Sequence, residues 1–350
     1  MRSGAGRLAA LGALLLAASP LAAQHPNHTS GFDARGTFEL GDLESVNLWN
    51  GSPTLTLPLG GSYPVGPGLS LGMTLTYTGN LWEWDEVCPH YPDTTTCYLQ
   101  AEPRRRSNSG AGWELTLGRI LTAFDVSNTS PLPLYESPDQ ALHQLGSSTE
   151  PSVTLDGTYL RYRPGAAAVD SASGIVRTFD SEGRLTRLED AFGNGFDVTY
   201  PTSATYGAPI EDWLLTDDHG RSHRVYFRPA PYYDSVVERV ELAAFGGTTA
   251  PYDFTYSQPF VPRGCNDPIT AGDTGNVQLP LLTRVDLPDG TAYEMPVGYY
   301  HIDGSASCPG RSINGHLERL DLPQGGALEW DWTIWAFPLA SKHLGPLEGG

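Results

Sequence analysis

The densest run of titratable side chains is Asp217-Asp218-His219, with His223 four residues on. Carboxylates beside imidazoles are the material of a general acid–base pair or a metal site. This run leads into Gly220 and falls where a tight turn belongs. Asp, His and Gly are ordinary turn residues, so a structural role is expected. Gly68-Leu69-Ser70-Leu71-Gly72 spells the G-x-S-x-G string of serine hydrolases, which works only at a sharp strand-to-helix turn. Ser70 lies instead in an alternating run with no helical pattern after it, and reads as a strand residue. Glu83, Asp85 and Glu86 beside Trp82 and Trp84 have the residue types of a sugar-cleaving site. Closeness in sequence does not place two carboxylates across a bond, and adjacent loop acids are expected to be solvated. Trp82, Trp84, Tyr232 and Tyr233 are candidate stacking platforms for a ligand, against the commoner role of filling a sheet face. Arg104-Arg105-Arg106 is expected to be a solvated loop, with docking of an acidic partner as its functional alternative. No glycine-rich string follows a strand and opens a helix, so no phosphate cradle or cofactor is expected.

The elements that would carry these residues are strands. Forty Gly and 29 Pro in 350 residues punctuate many short segments. Ser52–Leu59 alternates polar and apolar, Gly60-Gly61 interrupts it, and Leu69–Tyr77 alternates again. That period belongs to half-buried strands, here an antiparallel pair joined by a Pro/Gly-rich loop. Trp113–Leu117 is a third strand of the same kind. Residues 80–110 read as a surface insertion between them. No long helical period occurs.

Arg2 and Arg7, the apolar stretch Leu8–Ala18 and the small residues before Gln24 have the layout of a secretory signal peptide cleaved after Ala23. The apolar run is about half the ~20 residues needed to span a bilayer, so no membrane span is expected once the signal is removed. Loss of two arginines takes the formal charge from -19 to -21, and Lys342 is the sole lysine. Such acidity excludes nucleic acid as an expected partner. The four cysteines Cys88, Cys97, Cys265 and Cys308 suggest two disulfides in an exported chain. Neighbourhood pairs Cys88–Cys97, tying the insertion, and Cys265–Cys308; two other connectivities remain open. A metal site on Cys88, His90 and Cys97 lacks paired C-x-x-C spacing and a fourth ligand, so no metal is expected.

The second half repeats itself. Leu185-Thr186-Arg187-Leu188, Val237-Glu238-Arg239-Val240, Leu282-Thr283-Arg284-Val285 and Leu317-Glu318-Arg319-Leu320 each lead through an acidic or Gly-containing turn to a strand with aromatics, such as Phe196–Tyr200 or Tyr252–Tyr256. A fifth, weaker copy is Leu214–Gly220. The arginines lie 52, 45 and 35 residues apart, with loops of varying length between. Each unit reads as one β-hairpin. A lone hairpin is marginal in water, so the units are expected to stack edge to edge. The whole reads as all-β: signal 1–23, leader 24–36, an N-terminal antiparallel β region 37–165, stacked hairpins over 166–335 forming a curved sheet strip, and a tail 336–350.

Phe179-Asp180-Ser181-Glu182-Gly183-Arg184-Leu185 resembles the Tyr-Asp-x-x-Gly-Arg-Leu signature of the bacterial RHS/YD-repeat family, with Phe for Tyr. Val46–Asn80 looks like the segment that precedes the repeats in many exported members. The resemblance implies a β-sheet strip that, in longer members, spirals into a hollow shell. In toxin-bearing members the shell encloses a C-terminal polypeptide released by self-cleavage. This chain has few units and reaches Gly350 without a recognisable self-cleavage segment or toxin domain, so it is expected to be the opening portion of a longer protein or a short member. The expected function is that of an exported, non-catalytic scaffold at the cell surface or beyond it. Its expected partners are a C-terminal effector polypeptide, a surface glycan or a protein. The alternatives are a carbohydrate- or protein-binding module on the aromatics of residues 80–100, and a secreted hydrolase using Asp218 and His219.

Overall fold

The computed structural model describes residues 37–39, 43–47, 51–87, 98–121, 132–203, 210–263, 276–302 and 314–332. The expected signal peptide, leader and tail lie outside them, as do Cys88, Cys97, Cys265 and Cys308 and their expected pairings. The protein is all-β, and its named strand pairs are antiparallel. Among the described residues the helical turns are three-residue 3-10 turns, at Pro164–Ala166, Phe245–Gly247 and Val297–Tyr299. None is long and apolar enough to cross a membrane.

The dominant element is a 14-stranded sheet in which the strands follow one another in sequence order, from Ser152–Val153 to Ala327–Glu329. It reaches back past residue 166, because strands Arg161–Arg163 and Ala168–Asp170 join the same ladder. The hairpin units lie in it as consecutive pairs: Leu185–Glu189 with Gly195–Thr199, Trp213–Asp217 with Ser222–Pro229, Ser235–Ala243 with Thr249–Ser257, Leu281–Asp286 with Ala292–Glu294, and Arg319–Asp321 with Ala327–Glu329.

One face of each principal unit is apolar and the other ionic. The register places Leu188 opposite Phe196, Val240 opposite Tyr252, Val285 opposite Tyr293 and Leu320 opposite Leu328. One residue over, it places Arg187 opposite Asp197, Arg239 opposite Asp253, Arg284 opposite Glu294 and Arg319 opposite Glu329. A second acid stands two residues after each arginine. Arg187 Nε is 2.9 Å from Glu189, Arg284 Nε 2.7 Å from Asp286, Arg319 Nη2 2.7 Å from Asp321 and Arg239 Nη1 3.7 Å from Glu241. The cross-strand acid completes a trio around each guanidinium, as at 3.1 Å for Asp197 and 2.5 Å for Asp253.

A bulge recurs beside three of these arginines. Thr186, Glu238 and Thr283 are each the extra residue where the ladder shifts. A bulge disrupts ladder bonding and leaves backbone groups to be satisfied in another way. The carbonyl just before it accepts a tyrosine hydroxyl from the end of the same unit: Tyr200 to Leu185 at 2.7 Å, Tyr256 to Val237 at 2.6 Å and Tyr300 to Leu282 at 2.6 Å. In the fourth unit the Trp332 indole N–H donates to Leu317 O at 2.8 Å, in the equivalent place.

The N-terminal region forms a five-stranded sheet with Pro53–Gly66 and Leu69–Thr78 at its centre. Gly60-Gly61 does not end the first strand, as the break in alternation suggests. The strand continues through register shifts to Gly66, and the turn is Pro67-Gly68. Gly60 has φ +73°, and a Cβ there would come within 2.7 Å of Leu242 Cδ1 and 2.9 Å of the Tyr252 hydroxyl. The glycine thus marks where this hairpin crosses the large sheet. Leu55, Leu57, Leu75 and Trp113 belong to one continuous core with Val225, Val240, Val285 and Leu320. The N-terminal sheet therefore covers the apolar face of the hairpin strip.

The two rims of the strip differ. Tight turns at 190–194, 218–221, 244–248, 287–291 and 322–326 occupy one rim. At the other rim the chain takes its longer connections, leaving the sheet after Thr199, Ser257 and Glu294 and re-entering it at Trp213, Leu281 and Arg319.

Candidate functional site

The sequence-predicted polar cluster is a built turn. Asp217 Oδ1 accepts from the backbone N–H groups of His219 at 3.0 Å and Arg221 at 2.9 Å, and its Oδ2 takes Arg221 Nε at 2.6 Å. Asp180 does the same for Glu182 and Arg184, and Asp190 for Phe192 and Asn194. Burial works to raise the Asp217 carboxyl, but the bonds from Arg221 outweigh it and hold its pKa below the usual range. Asp218 accepts from Gly195 N–H at 2.7 Å, and His219 Nε2 lies 3.1 Å from Val65 O. His223 is buried on the other side of the turn. The four side chains thus point to different partners and form no acid–base pair.

Ser70 is exposed in mid-strand opposite Pro64, with strand on either side, so the nucleophile-elbow geometry is missing. Trp82 is buried, and its indole donates to Asn314 O at 2.9 Å. Tyr233 is buried as well. Neither offers an open ring face. Tyr232 keeps 38% of its surface exposed, and its hydroxyl is 3.2 Å from Glu102 and 3.1 Å from Pro103 O. It pins a connection of the long-loop rim to strand Tyr98–Pro103. The side chains of Trp84, Asp85 and Glu86 lie outside the described residues.

The expectation of a solvated loop fails at Arg104-Arg105-Arg106. Arg105 is exposed, but Arg104 and Arg106 are only 1% and 2% exposed. Glu83, read as a solvated acid, is likewise buried and lies 3.1 Å from Arg106. These side chains enter a six-membered ion network with Glu114, Glu136 and Arg119. Glu136 holds Arg104 at 2.9 Å, Arg106 at 3.0 Å and Arg119 at 2.8 Å. Glu114 holds Arg119 at 3.0 Å and Arg104 at 3.3 Å. Three guanidinium groups face three carboxylates, so the network is formally neutral. Gln140 closes it, accepting from Arg104 at 2.6 Å and donating to Thr76 O at 2.9 Å.

The two central carboxyls are pulled apart electrically. Burial would raise Glu136, but the charges of Arg119, Arg106 and Arg104 outweigh it and hold its pKa to about 2. Burial and then the Glu136 charge push Glu114 up to about 7, against Arg119 and Arg104. Glu136 has three cations in contact and Glu114 two, so Glu136 keeps the negative charge and Glu114 is the easier to protonate. Such a separation characterises acid–base pairs in enzymes. Here both carboxyls are at most 2% exposed and fully engaged by arginine, so no substrate reaches them. The network joins the insertion hairpin, the N-terminal sheet and the small sheet of Arg119–Leu121, Leu134–Glu136 and Leu142–Gln144.

Another chain of polar groups gave no sequence signal beyond the turn string Ser137-Pro138-Asp139. His143 Nδ1 is 2.5 Å from Asp156 Oδ2, and its Nε2 is 3.1 Å from Ser137 Oγ. That is the connectivity of a hydrolytic triad. Two features commit the serine elsewhere. Its hydroxyl also faces Asp139 Oδ1 and, at 3.3 Å, Ala141 O. Pro138 follows it and removes the backbone N–H that would serve a developing oxyanion. The group closes the turn between Leu134–Glu136 and Leu142–Gln144.

The described residues contain no group of three or more His, Cys, Asp or Glu placed to hold a metal ion. On the ionic face of the strip, Tyr226, Glu238, Arg239, Glu241 and Asp253 line a shallow depression of ≈ 470 Å³. No protein-family model matches this chain, and no curated protein matches it.

Proposed function

We propose that the chain is an exported, non-catalytic β-scaffold of the RHS type, a wall element that acts at the cell surface or beyond it and holds a polypeptide partner. The observation that carries this reading is the recurrence, through one continuous sheet, of a hairpin with an Arg–acid trio outside and an apolar pair inside. Such a sheet has one wet, ionic side and one dry side. The dry side is occupied by the chain's own N-terminal sheet. The carboxylates singled out in the sequence, where their side chains are described, serve turns and ion pairs, and the imidazoles of His219 and His223 meet backbone groups of other strands. Export rests on the signal-like residues 1–23.

The test is expression of an epitope-tagged chain from its native reading frame, followed by fractionation, N-terminal sequencing and cross-linking mass spectrometry. The expected result is an exported chain starting at Gln24 and cross-linked to one polypeptide. A chain retained in the cytosol with residues 1–23 intact would overturn it. So would hydrolysis of a glycan or ester panel that Asp218→Asn or His219→Ala abolishes.

A carbohydrate-binding role is the second reading, favoured by the depression around Tyr226 and its flanking carboxylates. A glycan array with wild type and Tyr226→Ala decides it. Binding lost in the variant supports the role, and a silent array removes it.

A further inference from the structure

The tip of the N-terminal hairpin is fastened to the tight-turn rim of the strip by a small clasp. The Tyr63 hydroxyl donates to Ala243 O at 2.8 Å. Arg221 donates to Pro64 O. His219 Nε2 is 3.1 Å from Val65 O, and a carbonyl can only accept, so that nitrogen carries a proton. The Tyr63 ring stands edge-on to His223, with centroids 4.5 Å apart. Ala243 links these contacts, because its carbonyl takes Tyr63 and its N–H donates to His223 Nδ1 at 3.2 Å.

His223 is 1% exposed. Its Nδ1 accepts a backbone N–H, so the ring proton must lie on Nε2. That nitrogen is buried and has no hydrogen-bond partner. The closed clasp therefore needs the neutral ring in a single tautomer. We propose that His223 makes the clasp acid-labile, so that protonation of its imidazole releases the tip of the N-terminal hairpin from the strip. A proton on Nδ1 would face the Ala243 N–H donor to donor. The ring must then turn away or strand Ser235–Ala243 must part from it, and in either case the seat of the Tyr63 ring and hydroxyl is lost.

The neighbouring groups do not rescue the charged ring. Burial lowers the His223 pKa first of all; Asp217 on the adjoining turn works against this, and Arg221 adds to it. Tyr63 faces the ring from the hairpin, and burial raises its own pKa, so it stays neutral. His219 is turned to Val65. From strand Ser235–Ala243 the ring meets the Ala243 backbone. The sign is fixed. With its closed-state pKa below the ordinary imidazole value, the open state binds more protons. The clasp is thus intact above about pH 6.5 and weakens as pH falls below it. Asp217 does not blur this window, because its carboxyl titrates lower than usual.

This inference is independent of which partner the scaffold holds. The test is amide hydrogen exchange of peptides covering 57–66 and 236–244 in the full chain at pH 7.5 and pH 5.5, corrected for intrinsic rates. Wild type is expected to lose up to about tenfold in protection at pH 5.5, one unit below an ordinary imidazole pKa of about 6.5. His223→Gln keeps an acceptor for Ala243 N–H but cannot gain a proton, and is expected to show equal protection at both values. His219→Gln is expected to weaken protection at both values while keeping the pH difference. Equal protection in wild type, or a wild-type drop in His223→Gln, would overturn the proposal. If His223→Gln does not fold, an NMR titration of wild type decides instead. The His223 ring should titrate below pH 6.5 as the tip opens, and a tip that opens before the ring titrates counts against the clasp.

Discussion

Two sets of arginine–carboxylate pairs in this molecule share their chemistry and differ in their solvent. In the N-terminal region, Arg104, Arg106, Glu114 and Glu136 have side chains 0–2% exposed. On the strip, Arg187, Arg239, Arg284 and Arg319 have side chains 28–44% exposed. An exposed pair gains little, because water screens it and two long side chains must be ordered. A buried pair pays a large desolvation penalty, and removing one partner leaves an uncompensated charge in a dry place. The strip's trios therefore specify register and keep the outer face wet. The network instead makes three separate pieces of chain depend on one another's charges.

The largest effect expected from breaking this contrast comes from Glu136→Gln, which withdraws a contact from three arginines at once. A loss of about 3–5 kcal/mol is expected, read from urea or thermal unfolding of the N-terminal region. A loss below about 1 kcal/mol would mean that water reaches the network. Tyr256→Phe probes the strip at its bulge. Leaving the Val237 carbonyl without its hydroxyl is expected to cost about 1–3 kcal/mol and to speed exchange of the amides around Glu238.

The third comparison uses pH. Glu114 has a pKa raised to about 7, so between about 4.5 and 7 the folded state holds a proton that the unfolded state lacks. Its contribution therefore falls as pH rises through that window. Glu136 has the opposite sign, and its contribution is lost as pH falls below about 4.5 towards 2. Glu114→Gln is expected to gain on wild type as pH is raised from 5 to 8, measured by denaturation at each pH. A difference that does not change with pH would remove the assignment. The smallest effect belongs to Arg284→Ala, at about 0.2–1 kcal/mol and shrinking in high salt. A double-mutant cycle with Glu294→Ala measures the pair itself.

How far each region was legible follows from the same contrast. The arginine spacing exposed the strip, because a trio needs an arginine, an acid two residues on and an acid across a turn, all close in sequence. The bulges at Thr186, Glu238 and Thr283 and the tyrosines that serve them were not legible, since a bulge is a property of pairing with the preceding strand. The network was hidden for a different reason. Its members lie at 83, 104, 106, 114, 119 and 136, on elements that meet only in the fold. The trace it left is an alternation, with Arg104 and Arg106 inward and Arg105 outward, and Glu114 set between Trp113 and Leu115 in a wholly buried strand. Charge composition pointed the other way, because a run of arginine in an acidic chain looks soluble. The Asp217 cluster was read as a turn, and its geometry is that of a turn repeated at Asp180 and Asp190.

The bulge and its donor also bear on how such a protein can change length. In the four units built on Arg187, Arg239, Arg284 and Arg319, the carbonyl two residues before the arginine and the side chain that satisfies it lie 15 to 19 residues apart on one stretch of chain. No neighbouring unit has to supply that hydrogen bond. A duplication or deletion that copies or removes the stretch whole moves the need and its remedy together. Lengthening the strip by such a step would add two strands without stranding that polar group.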